Sequence, residues 1–449
     1  MVGTFRPRRL AAVALLGALA FGLSACATGE YPNSTFNPTT EHNADVLSLW
    51  NKLLFWGTLV FIGTEAALIY TIFKFRKRPG VTGEPKQVHG NTTLEIAWTA
   101  IPAVILIFIA IPTVRTIFTT QAKASPEALQ VEVIGHQWWW EFRYPQYGIV
   151  TANELYLPNG RTVNFALTTI DVLHSFWIPQ LGGKRDLITN RTNYLWYTPK
   201  DSLPSSVWNG FCAEYCGTSH ANMRFRSYTV TPEEFEQWVA HQRSNAVYPV
   251  ASSDGAPATT IPAVPSGAGA APLQGNVSGA QPQAKPDSTP PGQGQGQPAV
   301  TSAAAVPAWT FPLEKLKAEF PHTIPSTKLP EGLTYDEKLL AAGDPARGMQ
   351  SFISCIGCHA ISGNPMAKGV IGPNLTHLAS RHTIGAGLYE NTPLNLALWI
   401  KSAPHMKPGS IMPTLGKGVY DPVRKVTANL GALTDQQIAD VVAYLNALK

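Results

Sequence analysis

At 449 residues the chain has room for two or three domains. Its formal charge of +5, from 34 basic and 29 acidic side chains, is mild and has no concentrated basic run outside one loop, which argues against a nucleic-acid partner. The five cysteines each fall in a segment with a separate use, so a scaffold held by disulfides is excluded.

The chain opens with Arg6, Arg8 and Arg9 ahead of the apolar run LAAVALLGALAFGL. That is the charged and apolar pattern of an export signal, and it is too short for a span of about 20 residues. The run ends in LSAC, which resembles the cleavage box of bacterial lipoproteins. The resemblance implies removal of residues 1–25 and lipid on Cys26; an ordinary signal with an incidental Cys26 is the alternative. Two long apolar runs follow, at about 47–73 and 94–118, each long enough to cross a bilayer, with Trp50 and Trp56 as interfacial anchors on the first. The loop between them, 74–93, carries Lys74, Arg76, Lys77, Arg78 and Lys86. Short basic loops stay in the cytoplasm, so residues 26–121 read as a two-helix hairpin of a bacterial cytoplasmic membrane, with the remaining chain on the outer face. Glu65 lies inside the first span, where a carboxyl is expected to pack neutral or hydrogen-bonded. Glu95 opens the second, where the helix dipole favours an acid. Pro102 and Pro112 predict kinks.

Residues 122–243 alternate in short runs such as LQVEVIGHQWWWEFRY and RTVNFALTTI, which predict an all-β Greek-key sandwich or barrel. Trp138, Trp139 and Trp140 are consecutive, and since strand side chains alternate faces they cannot all point inward. The segment CAEYCGTSHANM then places Cys212, Cys216, His220 and Met223 within twelve positions. Two thiols, an imidazole and a thioether are soft donors, which select copper over hard cations. DVLHSF adds a second imidazole, His174, with Asp171 three residues before it as a turn residue, a positioning partner or a docking acid. Bridging thiolates can hold two copper ions side by side, one histidine on each, with Met223 and the Glu214 carbonyl as weak outer ligands. A Cys212–Cys216 disulfide is the alternative.

From 244 to about 334 many of the chain's 37 prolines and 37 glycines collect in a Pro/Gly/Ala-rich tether, whose last part could pack on either neighbour. Residues 335–449 contain Cys355, Cys358 and His359 in the C-x-x-C-H pattern of c-type haem attachment, with a zinc half-site as the alternative. The thiols would form the thioethers and His359 the proximal iron ligand; MKPGSIMPTLG offers Met412, or Met406, on the other side. The chain ends in an amphipathic helix capped by Thr434, with Ile438, Val441, Val442, Leu445 and Leu448 on one face.

DVLHSF with CAEYCGTSHANM resembles the binuclear copper (CuA) domain of cytochrome c oxidase subunit II, and GPNLTHLASR and Met412-Pro413 resemble small class I cytochromes c. The whole chain resembles subunit II of the caa type, in which a cytochrome c is fused at the C-terminus. The fold class implied is a multidomain membrane protein with two transmembrane helices, an all-β cupredoxin-like domain and an all-α cytochrome c domain. The resemblance implies copper on His174, Cys212, Glu214 (by its carbonyl), Cys216, His220 and Met223, and haem c on Cys355, Cys358, His359 and Met412. It further implies electron input at Trp138, magnesium shared with subunit I at the Glu214 carboxylate, and proton uptake at Glu95 within LEIAWTAIPA. Electrons would run from an outside donor, such as a cytochrome c or the cytochrome bc complex, through haem and copper to subunit I of a proton-translocating oxidase. The oxygen chemistry would belong to that subunit. A quinol oxidase subunit, a nitric oxide reductase subunit and a membrane-tethered copper carrier are the rival readings; the complete ligand set counts against the first and the haem motif against the last.

Overall fold

A computed structural model describes residues 33–80, 83–84, 87, 89–246, 309–315 and 327–449, and Gly17. The rest of the export signal, Cys26 and most of the tether lie outside the described residues.

Helices α1 (Glu41–Phe75) and α2 (Thr92–Gln121) are 35 and 30 residues long. At 1.5 Å per residue they reach roughly 50 and 45 Å, more than the ~30 Å of a hydrocarbon core. The Thr40 hydroxyl accepts from the Asn43 amide and the Asn91 side chain from the Leu94 amide, which fixes both starts. The Glu95 carboxylate accepts from the Asn91 amide at 3.4 Å, completing the second cap. Trp56 stacks on Phe108 with centroids 5.7 Å apart and joins the two helices. Their apolar windows are otherwise bare, the pattern of helices that face lipid or a partner. α2 runs as one element through Pro102 and Pro112, so the expected kinks do not divide it.

Ten strands follow: β1 (Leu129–His136), β2 (Trp139–Tyr144), β3 (Ile149–Ala152), β4 (Glu154–Pro158), β5 (Val163–Thr169), β6 (His174–Trp177), β7 (Arg185–Leu187), β8 (Asn193–Tyr197), β9 (Ser206–Cys212) and β10 (Arg224–Val230). They form two five-stranded sheets, ordered β3-β2-β1-β5-β8 and β4-β10-β9-β6-β7, each mixing parallel and antiparallel pairs. The alternating apolar positions meet between the sheets, where Phe142, Phe165, Phe176 and Phe225 interlock and Phe176 stacks on Phe225 at 5.0 Å. Helix α3 (Pro232–Arg243), held by a Thr231–Glu234 capping box, closes one end with Phe235 and Trp238.

The C-terminal domain is built from α4 (Glu337–Ala341), α5 (Pro345–Ser351), α6 (Pro393–Met406) and α7 (Asp435–Asn446). α5 crosses α7 at Gly348, where a Cβ would collide with the Asp440 carbonyl. Asp440 ties the crossing: its carboxylate accepts from the Asp344 amide at 2.9 Å and from Arg347 Nε and Nη2 at 2.9 and 2.8 Å. Gly348→Ala is therefore expected to destabilise this domain by about 1–3 kcal/mol, the range for forced overpacking. Thermal unfolding of the full chain, followed at the haem absorption band, measures the shift. Of the five apolar residues expected on its inner face, Ile438, Val441, Val442 and Leu445 are buried on α7 and Leu448 is buried just past its end.

The stretch expected to be a tether is folded in part. Within 309–315, Phe311 is buried against Tyr228 and Trp309 lies edge-on to Tyr156, so this piece packs on the β-domain. The same piece reaches the C-terminal domain, where Thr310 donates to the Ser380 carbonyl. The two outer domains also touch directly: the Glu154 carboxylate accepts from the His382 and Thr383 amides at 2.8 and 3.0 Å, and Arg226 donates to the Gly387 carbonyl at 3.0 Å.

Candidate metal centre

β6 and β9 are antiparallel neighbours with Phe176 opposite Cys212, which brings His174 to the end of β9. The chain then loops through 213–223, and the Cys212 amide bonds the Met223 carbonyl at 3.0 Å, closing that loop on itself. The six residues singled out from the sequence converge. The thiol sulfurs are 3.7 Å apart. Cys212 Sγ is 3.8 Å from His174 Nδ1 and 3.2 Å from the Glu214 carbonyl oxygen; Cys216 Sγ is 3.6 Å from His220 Nδ1 and 3.8 Å from Met223 Sδ. Each thiol thus has its own imidazole and its own weak donor. A disulfide would need sulfurs near 2.05 Å, and both cysteines are free thiols.

The two thiols are electrostatically coupled. Hydrogen bonding from Cys216 holds the Cys212 thiol below the usual thiol range against the cost of its burial, and the same proximity pushes Cys216 above it. The pair gives one thiolate readily and the second only beside a cation. Soft donors that need a cation to ionise fully are the chemistry of a copper site.

The histidines are oriented from behind. His174, fully buried, has Nε2 2.8 Å from Asp171 Oδ1, which leaves Nδ1 toward the sulfurs. Asp171 is also tied to the Gln137 amide at 2.6 Å. Of the readings open for Asp171, the positioning partner is the one this geometry supports. Asp171→Ala is expected to weaken copper binding about 10–100-fold, the usual cost of losing such a partner, measured by titration against a competing chelator. Gly135 makes room: a Cβ there would lie 2.6 Å from His174 Cδ2. Sequence reading passed over that residue, although a glycine inside an otherwise apolar strand signals close approach.

The tryptophan run is not on one strand: Trp138 lies in the turn between β1 and β2, and only Trp139 and Trp140 alternate along β2. Trp140 is fully buried in the core, while Trp138 and Trp139 are partly exposed. Trp138 Nε1 donates to the Cys216 carbonyl at 2.9 Å, and Gln137 Nε2 donates to the same oxygen at 2.8 Å. Glu214 turns its carboxylate to the Tyr215 amide at 3.2 Å, beside the exposed Tyr215 ring.

A second site faces Trp138. A cavity lined by Cys355, Cys358, His359 and Met412 opens directly onto Trp138 and Trp139. His359 Nδ1 lies 2.8 Å from the Pro373 carbonyl, so it carries the proton and Nε2 is the atom left to bind iron. A Cβ on Gly372 would reach within 2.5 Å of the His359 ring. Ile371, Leu396, Ile400 and Val441 supply apolar walls, and Met406 is buried in the packed core outside the cavity. Two free thiols, an oriented imidazole, a thioether and apolar walls fit a haem. Lys407, also on this cavity, had no signal in the sequence beyond its place between Met406 and Met412.

The fold and the two donor sites define a membrane-anchored electron-transfer protein with a soft-metal centre and a haem pocket. Residues 35–116 match the family described as cytochrome C oxidase subunit II, transmembrane domain; 148–229 match its periplasmic domain; 345–449 match cytochrome c. The chain is similar to cytochrome c oxidase subunit 2 of Alkalihalophilus pseudofirmus, 29% identical over 396 residues that cover 87% of this chain and 83% of that protein. It is 38% identical to cytochrome c oxidase subunit 2 of Bacillus subtilis over 250 residues, covering 52% of this chain and 68% of that one. It is 31% identical to quinol oxidase subunit 2 of Bacillus spizizenii over 255 residues, covering 55% and 76%. The chain belongs to the cytochrome c oxidase subunit II family, with a cytochrome c domain fused at its C-terminal side. It is an electron-input subunit of a haem-copper oxidase, anchored in a membrane with an outer domain and partnered by subunit I. The family carries a CuA copper site in the periplasmic domain and haem c in the cytochrome c domain.

Proposed function

We propose that the chain passes electrons from an outside donor through haem c and then a binuclear copper centre to subunit I, where oxygen is reduced. The haem and the copper pair, when bound, supply one-electron carriers; the chain holds and aligns them. Cys355 and Cys358 would attach the haem, and His359 and Met412 would be its iron ligands. Cys212, Cys216, His174, His220, Met223 and the Glu214 carbonyl would hold the copper pair. The observation that carries this reading is the convergence of those six donors, with the haem cavity opening across Trp138 toward Cys216. A quinol oxidase subunit has no use for either donor set, and a copper carrier none for the second.

The remaining assignments rest on the same resemblance. Trp138 is the residue through which electrons enter the copper domain, a role supported by its bond to the Cys216 carbonyl. The Glu214 carboxylate shares magnesium with subunit I. Glu95 assists proton uptake in a proton-translocating complex, beside its capping role at Asn91. Cys26 carries lipid after removal of the signal, and the chain is multi-pass in a bacterial cytoplasmic membrane with both redox domains outside. The donor is a cytochrome c or the cytochrome bc complex.

Electron paramagnetic resonance of the oxidised, copper-loaded full chain tests the core of this reading. One unpaired electron shared over two copper nuclei, together with low-spin haem, is the expected spectrum. A single-nucleus copper signal would return the carrier and quinol-type readings.

A further inference from the structure

The segment that follows α6 leaves the cytochrome domain and enters the copper domain's surface at Trp138. Lys407 is only 4% exposed. Its ammonium donates to the Trp138 carbonyl of the copper domain and lies 3.4 Å from the Gly385 carbonyl of its own domain. Beside it, Ser219, fully buried in the copper loop, donates to the Pro408 carbonyl. Gly409 has φ +83°, and a Cβ there would lie 3.0 Å from the Trp138 ring and 3.4 Å from Thr218 Cβ. Three successive residues of one domain therefore meet one tryptophan and the loop behind it. Lys407 and Trp138 both line the haem cavity, and Trp138 bonds the Cys216 carbonyl.

A lysine carries three donors and no acceptor, and removing its charge from water is costly unless carbonyls receive it. Undocked, this ammonium would return to water, so it adds little net affinity to the contact. What it adds is selectivity: the domains close without penalty only in the one register that brings the Trp138 carbonyl to it. We propose that Lys407, with Gly409, is the positioning residue that seats the cytochrome domain on the copper loop and fixes Trp138 between the two redox sites. This deepens the electron path proposed above and rests on it for the identity of the two centres; the docking itself is read from the contacts.

The test uses the full chain in nanodiscs, with Lys407→Met, Gly409→Ala and, as a control, Gly418→Ala. Gly418 has a similar positive φ of +79° with nothing within 4 Å of its Cβ, so its substitution carries the backbone strain alone. Expected in the first two variants are haem and copper spectra like those of the unaltered chain, and amide hydrogen exchange at 137–140 and 216–219 at least ~10-fold faster, with β1 and β5 unmoved. Electron equilibration between haem and copper after flash reduction is expected to slow by a similar factor, while Gly418→Ala changes neither. Unchanged exchange and equilibration in Lys407→Met or Gly409→Ala would overturn the proposal. If Lys407→Met fails to load haem, Gly409→Ala decides. Exchange is also read without copper, so a chain lacking the two-copper signal refutes the electron path yet still reports on the docking.

Discussion

Cys216→Ser is expected to abolish the two-copper signal and to lower oxidase turnover by more than about 100-fold. Cys216 Sγ stands within 3.8 Å of the other thiol, of His220 Nδ1 and of Met223 Sδ, so three of the donor contacts pass through this one atom. A serine hydroxyl is a hard donor that does not ionise at neutral pH and does not bridge copper. His220 and Met223 then lose the sulfur that gathers them, while Cys212, His174 and the Glu214 carbonyl still form a partial site. The result is at most one copper ion, detected as a single-nucleus spectrum and a halved copper content. Losing a partner that merely orients a ligand costs 10–100-fold, so losing the shared ligand sets the larger effect. The haem band, from a site that begins at Cys355 in the other domain, is expected to be unaltered. A shared two-copper spectrum surviving in this variant would remove Cys216 from the ligand set.

Much of this centre was legible because its chemistry is compressed into one loop. Cys212, Cys216, His220 and Met223 are near neighbours in sequence, and a loop tethered at both ends by the Cys212–Met223 hydrogen bond cannot scatter them far. His174 is thirty-eight positions from Cys212, yet the pairing of β6 with β9 makes it adjacent. The membrane helices were legible from the length of their apolar runs and α7 from its hydrophobic period and cap, and both α1 and α2 run a few residues past the expected spans because Thr40 and Asn91 cap them further out. What sequence reading lacked belongs to contacts between distant segments. The collision that keeps Gly135 free of a side chain is with a histidine on another sheet. The docking of Lys407 joins positions 269 apart, with no periodicity to announce it. The composition of the tether leaves open which neighbour its last part packs on, and Trp309 and Phe311 are what seat 309–315 against Tyr156 and Tyr228.

The choice between the two methionines after α6 gives the second large effect. Met412→Ala is expected to lower the reduction potential of the haem by on the order of 100 mV or more, within the ~0.8 V that axial ligands span. A thioether ligand favours the reduced iron, and its loss leaves His359 with water or no partner. Since 59 mV is tenfold for one electron, such a drop shifts the haem–copper electron equilibrium by about 50-fold. Met406→Ala separates ligand from packing. Its side chain is 4% exposed in the domain core, whereas Met412 lines the cavity beside His359. Truncating a buried methionine costs about 2–5 kcal/mol of stability, so Met406→Ala is expected to lower the unfolding temperature while leaving the potential near that of the unaltered chain. Redox titration of the haem band and thermal unfolding, run on both variants, distinguish the two cases. A potential that falls in Met406→Ala and holds in Met412→Ala would exchange their roles. The expected pattern makes Met412 the ligand because α6 breaks at Ser402, whose hydroxyl bonds Thr414 at 2.8 Å and folds residues 403–413 back over the cavity.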